Sequence, residues 1–223
     1  MSNDPLDNNE PLSSNGISNN ERRRQLHCPV LVTERLVLRL PHIEDMDAIA
    51  DLANNRRVSA MLSAMPYPFT RKHAADFILR AVAGEMGHCV YAITLGDTGE
   101  FIGSCSVRER HDDPNGVEIG YWLGEPYWKK GYASEAANAL IDTIFRATDL
   151  DSIYVTCFAA NTPSRRVIQK LGFRYEGVSE QQSIVSGLLI ADNFSLSREN
   201  WIEQRRIAQG VASSRIQTLQ NAA

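Results

Sequence analysis

Leu36, Leu38 and Leu40 alternate with Arg35 and Arg39, a period of two that predicts a half-buried strand. The period then changes. Met46, Ile49, Ala50 and Ala53 recur at helical spacing behind Glu44 and Asp45, whose charge suits a first helical turn. Ala74, Phe77, Ile78, Ala81 and Val82 predict a second helix, with Thr70 placed to cap it. Strands follow at about 88–95 and 101–110, joined by the turn-forming Gly96-Asp97-Thr98-Gly99. His111-Asp112-Asp113-Pro114-Asn115-Gly116 marks another turn before a strand at 117–123. Ala133, Ala136, Ala137, Leu140, Ile141 and Ile144 line an amphipathic helix that is small at its start, where it must approach a sheet. A strand at about 152–158 precedes a short helix, 164–171, which stops at Gly172. Strands at about 173–185 and 188–197 form a closing hairpin, and a final helix runs around 198–209.

Hairpins alternating with crossover helices predict a mixed α/β sheet. The strands at 117–123 and 152–158 are joined through a helix, so they should run parallel with a right-handed crossover. Residues 1–28 are polar and aperiodic and read as a disordered tail, residues 29–210 as the folded domain, and residues 211–223 as a second tail. Glu21-Arg22-Arg23-Arg24 in the first tail reads as a solvated cluster rather than an anchor for RNA or ribosome.

Composition narrows the class. A chain of 223 residues suits one medium domain, and 43% hydrophobic with 22% charged residues is ordinary for a soluble globular protein. A net charge of −4 argues against direct nucleic-acid binding through phosphate neutralisation. No apolar run approaches the ~18 residues of a membrane helix, and the N-terminal stretch lacks a signal-peptide core. Cys28, Cys89, Cys105 and Cys157 lack metal-type spacing and are expected to be buried free thiols in a reducing, cytoplasmic setting. His111 with Asp112 and Asp113 reads as a turn and not a metal site, because no second ligand cluster accompanies it.

The candidate chemistry starts at residues 127–135, Tyr-Trp-Lys-Lys-Gly-Tyr-Ala-Ser-Glu, which open a helix directly after a strand. A glycine turn at a helix N-terminus leaves backbone amides free to hold phosphate, and Gly131 and Ala133 have almost no side chain to obstruct it. A plain helix entry would read the same way. A second segment changes that: Asn161-Thr162-Pro163-Ser164-Arg165-Arg166-Val167-Ile168-Gln169-Lys170-Leu171-Gly172-Phe173. Together the two resemble the GNAT superfamily of acetyl-CoA-dependent N-acetyltransferases, with Trp128 standing where its phosphate-binding pattern has Arg or Gln. The form Tyr-Trp-x-x-Gly-Tyr-Ala resembles the RimJ/RimL branch, which acetylates protein N-termini and some small amines. Thr33-Glu34-Arg35-Leu36 with Leu38-Arg39, Pro66-Tyr67-Pro68-Phe69-Thr70, Asp192-Asn193-Phe194-Ser195-Leu196 and Trp201 extend the resemblance over roughly residues 30–202.

The resemblance implies a GNAT fold: a mixed, mostly antiparallel central sheet whose parallel strand pair splays to admit the pantetheine arm of acetyl-CoA. It implies that acetyl-CoA is bound by Tyr121, Trp122 and Leu123, by Lys129, Lys130, Gly131, Tyr132, Ala133 and Ser134, and by Asn161 and Arg166. Backbone amides of residues 129–134 would supply most of the hold, with the two lysines adding charge or simply solvated. Glu118, an acid inside an apolar strand, is the first candidate for the base that deprotonates the acceptor amine; a solvated edge position is the other reading. Glu180 is a second candidate, off register from the branch's acid, whose place falls on Ser183. Many members protonate the leaving thiolate with a tyrosine, but the matching residue here is Ile168, and Ser164 is the donor the branch implies. Ser164 also stands where serine commonly caps a helix. Met61, Met65, Tyr67 and Phe69 are expected to shape the acceptor entrance. The acceptor is expected to be a protein or peptide N-terminus, with a polyamine, amino acid or aminoglycoside as the competing class and a non-catalytic acetyl-CoA-binding module also open. Homodimers are common in this branch.

Overall fold

The computed structural model describes residues 28–110, 112–113 and 116–208. The expected tails apart from Cys28, with the arginine cluster at 22–24, and His111 lie outside the described residues. The chain runs β1 (Leu31–Val32), β2 (Leu36–Arg39), α1 (Met46–Ala53), α2 (Arg56–Ser59), α3 (Arg71–Val82), β3 (Cys89–Leu95), β4 (Phe101–Glu109) and β5 (Gly116–Leu123). It continues through α4 (Tyr132–Ala147), β6 (Ser152–Phe158), α5 (Thr162–Lys170), β7 (Arg174–Ser183) and β8 (Gly187–Ser197), and ends in α6 (198–208). The strands form one sheet of order β1-β2-β3-β4-β5-β6-β8-β7, antiparallel at every junction except β5–β6.

Strand pleat sorts the sheet's two faces. Val117, Ile119 and Leu123 of β5, Ile153 and Val155 of β6, and Phe194 and Leu196 of β8 are buried beneath Ala136, Ala137, Leu140, Ile141 and Ile144 of α4 and Ile168 of α5. The opposite face carries α1 and α3, whose Ile49, Ala53, Ala74 and Ile78 pack with Phe69, Ala92 and Phe101 and against Trp122. Thr70 caps α3 as its sequence position predicts, accepting from the His73 amide at 3.4 Å. The C-terminal end of α4 is held from outside: Arg198 donates to the Phe145 carbonyl in its last turn and to the Thr148 and Leu150 carbonyls just beyond it, at 2.6–2.9 Å. Among the described residues no helix is long and apolar enough to cross a membrane.

The parallel pair positions everything that follows. β5 pairs with β4 from Val117 to Leu123, and β6 pairs with β8 from Ser152 to Phe158. Between β5 and β6 the pairing covers only Gly116↔Ser152, Val117↔Ile153 and Glu118↔Tyr154. Beyond Glu118 each strand keeps its antiparallel neighbour and loses its parallel one, so the sheet opens into a cleft.

One expectation fails here. Cys28 and Cys89 form a disulfide, with Cα atoms 5.5 Å apart across a sequence separation of 61, whereas Cys105 and Cys157 are free and buried. Leu31 lies beside Leu38, and Leu38 beside Ile93, which puts the run before β1 level with the start of β3. β2 ends at Arg39, opposite Ala92, so no strand separates the two cysteines.

Candidate active site

The open end of the cleft leads to the turn between β5 and α4. Lys129 has φ 62° and Gly131 φ 85°, both in the left-handed region that non-glycine residues enter at a cost. Such backbone strain gathers at ligand clamps. Gly131 is the N-cap of α4 without a side-chain cap, and the first intrahelical bond runs from the Glu135 amide to the Gly131 carbonyl at 3.1 Å. The amides of Tyr132, Ala133 and Ser134 therefore stand ahead of the ladder, at the positive end of a 16-residue helix.

Side chains far away in sequence fasten this turn. Trp128 donates its indole N–H to the Leu123 carbonyl at 2.7 Å. Arg35 donates to the Lys130 carbonyl at 3.0 Å and to Glu135 at 2.7 Å, and its guanidinium lies 4.7 Å from the centre of the Tyr132 ring. Thr33 donates to Glu135 at 2.6 Å. Burial pushes the Glu135 carboxyl up, but hydrogen bonds from Thr33 and Arg35 outweigh it and hold the group below its ordinary value. Tyr127 donates to Glu100 at 2.6 Å, a bond that pushes the phenol up to about 12, and Lys130 lies over its ring. Lys129, Lys130 and Gly131 are exposed, while Tyr132, Ala133 and Ser134 are half-buried. The clamp of Thr33, Arg35 and Glu135 escaped sequence reading; its only trace was the Thr-Glu-Arg-Leu motif, read as a strand.

Inside the cleft, on the α4–α5 side, the structure brings two predicted residues together. The Tyr121 hydroxyl lies 3.0 Å from Ser164 Oγ. Ser164 is not the cap of α5. The helix begins two residues earlier, and Asn161 caps it, accepting from the Ser164 amide through its side-chain oxygen at 3.2 Å. Pro163 explains the shift, since proline suits a helix's first turn and the cap must precede it. Burial pushes the Cys157 thiol up to about 11, helped by Asp192 and opposed by Arg165 and Ser164. Burial raises the Tyr121 phenol well above its ordinary value, against the Ser164 hydrogen bond. Asp192, buried on β8, is ion-paired with Arg165. Ile168 is fully buried in the core, and Arg166 is exposed on α5.

Glu118 and Trp122 lie on the other face, by the alternation of β5. Glu118 is the last β5 residue paired with β6, at the closed end of the cleft. Its side chain is 17% exposed and sits 3.3 Å from Arg108 Nε on β4, so it is neither a solvated edge group nor unpartnered. Trp122 packs as a wall, its ring 5.9 Å from Phe101. Glu180 pairs with Ile190, on the sheet face carrying Asp192 and Phe194, which is opposite to that of Glu118. Ser183 occupies the Glu118 face but is buried, donating to the Leu62 carbonyl at 3.2 Å. With the Ile184 amide bonding the Ser63 carbonyl at 3.0 Å, this contact docks the β7–β8 turn on the loop before α3. Of the expected entrance residues on that loop, Met61 and Tyr67 are exposed, and Met65 and Phe69 pack into the α1–α3 core.

A family profile described as acetyltransferase (GNAT) domain matches residues 35–174. The uncharacterized N-acetyltransferase p20 of Bacillus licheniformis is 32% identical over 164 residues, which cover 72% of this chain and 90% of that protein. A GNAT-family acetyltransferase from Bacillus anthracis shares the fold with a TM-score of 0.67 at 25% identity, over 77% of this chain and 99% of that one. RimJ of Mycobacterium smegmatis, solved in complex with CoA-disulfide, gives a TM-score of 0.65 at 22% identity over 78% and 89% of the respective chains, a likeness of fold.

Proposed function

The chain belongs to the GNAT acetyltransferase family, and from that membership we propose that it acetylates the α-amine of a protein or peptide N-terminus, with Glu118 as base and Ser164 facing the leaving sulfur. Acetyl-CoA is the donor and supplies an activated thioester carbonyl. The residues present fit it. The Tyr132, Ala133 and Ser134 amides, with Lys129 and Lys130, would hold its pyrophosphate at the Gly131 turn. Tyr121, Trp122 and Leu123 on one side and Asn161 and Arg166 on the other would flank the pantetheine arm where β5 and β6 part.

The observation that carries the reading is that parting. It sets a carboxylate at the closed end of a cleft whose open end is an amide-lined turn. Glu118, directly or through a water, takes a proton from the acceptor ammonium. The nitrogen–carbon bond forms and the carbon–sulfur bond breaks; of the two protons the nitrogen gives up, Glu118 takes one, and the other replaces the proton that Ser164 passes to the sulfur. An α-amine, with pKa about 8, needs less help than lysine at about 10.4, which favours N-termini. The resemblance of Tyr127-Trp128-x-x-Gly131-Tyr132-Ala133 to the RimJ/RimL form, and the exposed Met61 and Tyr67 at the entrance, support a peptide acceptor. We place the enzyme in the cytoplasm, alongside its donor; the Cys28–Cys89 disulfide is the one observation against that placement, since reducing compartments keep thiols free.

Release of free CoA across a panel of acceptors tests the assignment. Peptides with a free α-amine should outrun polyamines and aminoglycosides, and the same peptides blocked at the N-terminus but carrying lysine should be poor. Preference for a small amine would overturn the acceptor class. No release with any amine would overturn the mechanism.

A further inference from the structure

We propose that Tyr121 is a positioning residue for the reaction, its hydroxyl donating to Ser164 Oγ and so aiming the serine's own proton at the coenzyme sulfur. The inference rests on the acetyl-transfer reading above and assigns a role beyond lining the pantetheine arm. A serine hydroxyl rotates freely about its C–O bond, and alone it has no reason to point into the cleft. Here its rotation is constrained. The Tyr121 hydroxyl lies 3.0 Å from Ser164 Oγ and 3.4 Å from the Ser164 backbone carbonyl. The serine is free for this because Asn161, not Ser164, caps α5. Burial keeps the phenol protonated, so it has a proton to offer, and Ser164 Oγ at 3.0 Å is the nearer of its two acceptors. When Tyr121 donates, the Ser164 proton is left to point elsewhere, and the pair itself bridges the gap, Tyr121 standing on β5 beyond its last pairing with β6 and Ser164 on the helix that follows β6. Chained hydroxyls also polarise one another, which strengthens the outer donor.

The arrangement answers a defect in the site. Position 168 of α5 carries a fully buried isoleucine, which has no proton to offer. The phenol comes from β5 instead and acts through the serine rather than on the sulfur. Tyr121 is not consumed: the sulfur takes the Ser164 proton, Ser164 regains one from the nitrogen that has attacked, and the phenol ends the cycle as it began it.

The test is single-turnover acetyl transfer to the best acceptor, in Tyr121→Phe, Ser164→Ala and the double variant. Loss of one neutral hydrogen bond should slow Tyr121→Phe about 3–10-fold, while acetyl-CoA affinity stays within about twofold because the ring remains. In the Ser164→Ala background the same change should have no further effect, since the group that Tyr121 aims is gone. The wild-type rate should fall in D2O, and Tyr121→Phe should shrink that isotope effect. A wild-type rate in Tyr121→Phe, or an equal loss in both backgrounds, would overturn the role. If Tyr121→Phe does not fold, a ring-fluorinated tyrosine at 121, a stronger donor of nearly the same shape, should speed transfer; an unchanged rate would overturn the role. Absence of transfer in the wild type would overturn the underlying function instead.

Discussion

Gly131→Asp probes the anion site at its tightest point. The residue has φ 85°, so an L side chain there is strained by about 1 kcal/mol. A Cβ would lie 3.2 Å from an Arg35 guanidinium nitrogen, the movable end of a flexible side chain, which can give way. A carboxylate at a helix N-terminus gains about 0.3–1 kcal/mol from the dipole, so the fold should survive nearly unharmed. Binding should not. A unit charge about 4 Å from a phosphate oxygen repels it by about 1 kcal/mol in water and about 4 kcal/mol at an effective dielectric of 20. Gly131 is exposed, which favours the lower half of that range; with obstruction of the Tyr132–Ser134 amides added, affinity should drop at least tenfold, or ~1.4 kcal/mol. Calorimetry with acetyl-CoA on the folded variant measures it. Gly131→Asn separates charge from shape, because asparagine has the same size and tolerates the same backbone. Unchanged affinity in Gly131→Asp refutes the anion site; an equal loss in Gly131→Asn refutes the electrostatic part of the reasoning.

Glu118→Gln should slow acetylation most near pH 7 and recover part of the loss above pH 8, where an α-amine of pKa about 8 deprotonates unaided; a pH–rate profile parallel to wild type would remove Glu118 as base. The same change breaks the partly exposed pair with Arg108, which should cost no more than about 1 kcal/mol in denaturant titration. Ser164→Ala and Asn161→Ala should separate acid from cap. Asn161→Ala should cost about 1 kcal/mol, seen as a melting temperature lower by roughly 2–4 °C. Ser164→Ala should melt near wild type yet turn over more than tenfold slower, and the reverse pattern would make Ser164 structural.

The sequence disclosed most where a repeat in the residues mirrors a repeat in the structure. Leu36 and Leu38 alternate because a pleat alternates, and Ala136, Ala137, Leu140, Ile141 and Ile144 recur because one face of α4 meets the sheet. The direction of β6 was legible from the crossover helix, but the length of its pairing was not. Residues 119–123 and 155–158 show the same periodicity whether or not a parallel neighbour is present. The Cys28–Cys89 bridge was hidden for a similar reason, since it depends on β2 stopping at Arg39, and a strand's end shows in its neighbours rather than in its own composition.

The site shows a further limit. Glu118 and Ser164 were singled out by residue type and segment, yet the surroundings of each are set by partners that no local pattern names: Arg108 across the β4–β5 ladder and Tyr121 across the cleft. Pro163 did carry a readable signal, because proline in the first turn moves the cap back to Asn161 and frees Ser164. Arg35 was read as the polar half of a strand's alternation and as part of the Thr-Glu-Arg-Leu opening-strand motif, neither of which shows that it anchors the turn that would hold pyrophosphate from about a hundred residues away. It can do so because β2 ends its own alternation in the core, Leu36 and Leu38 fully buried, and leaves the residue just before the strand free to reach α4. The apolar pattern that fixes β2 thus also fixes where the Arg35 charge is delivered.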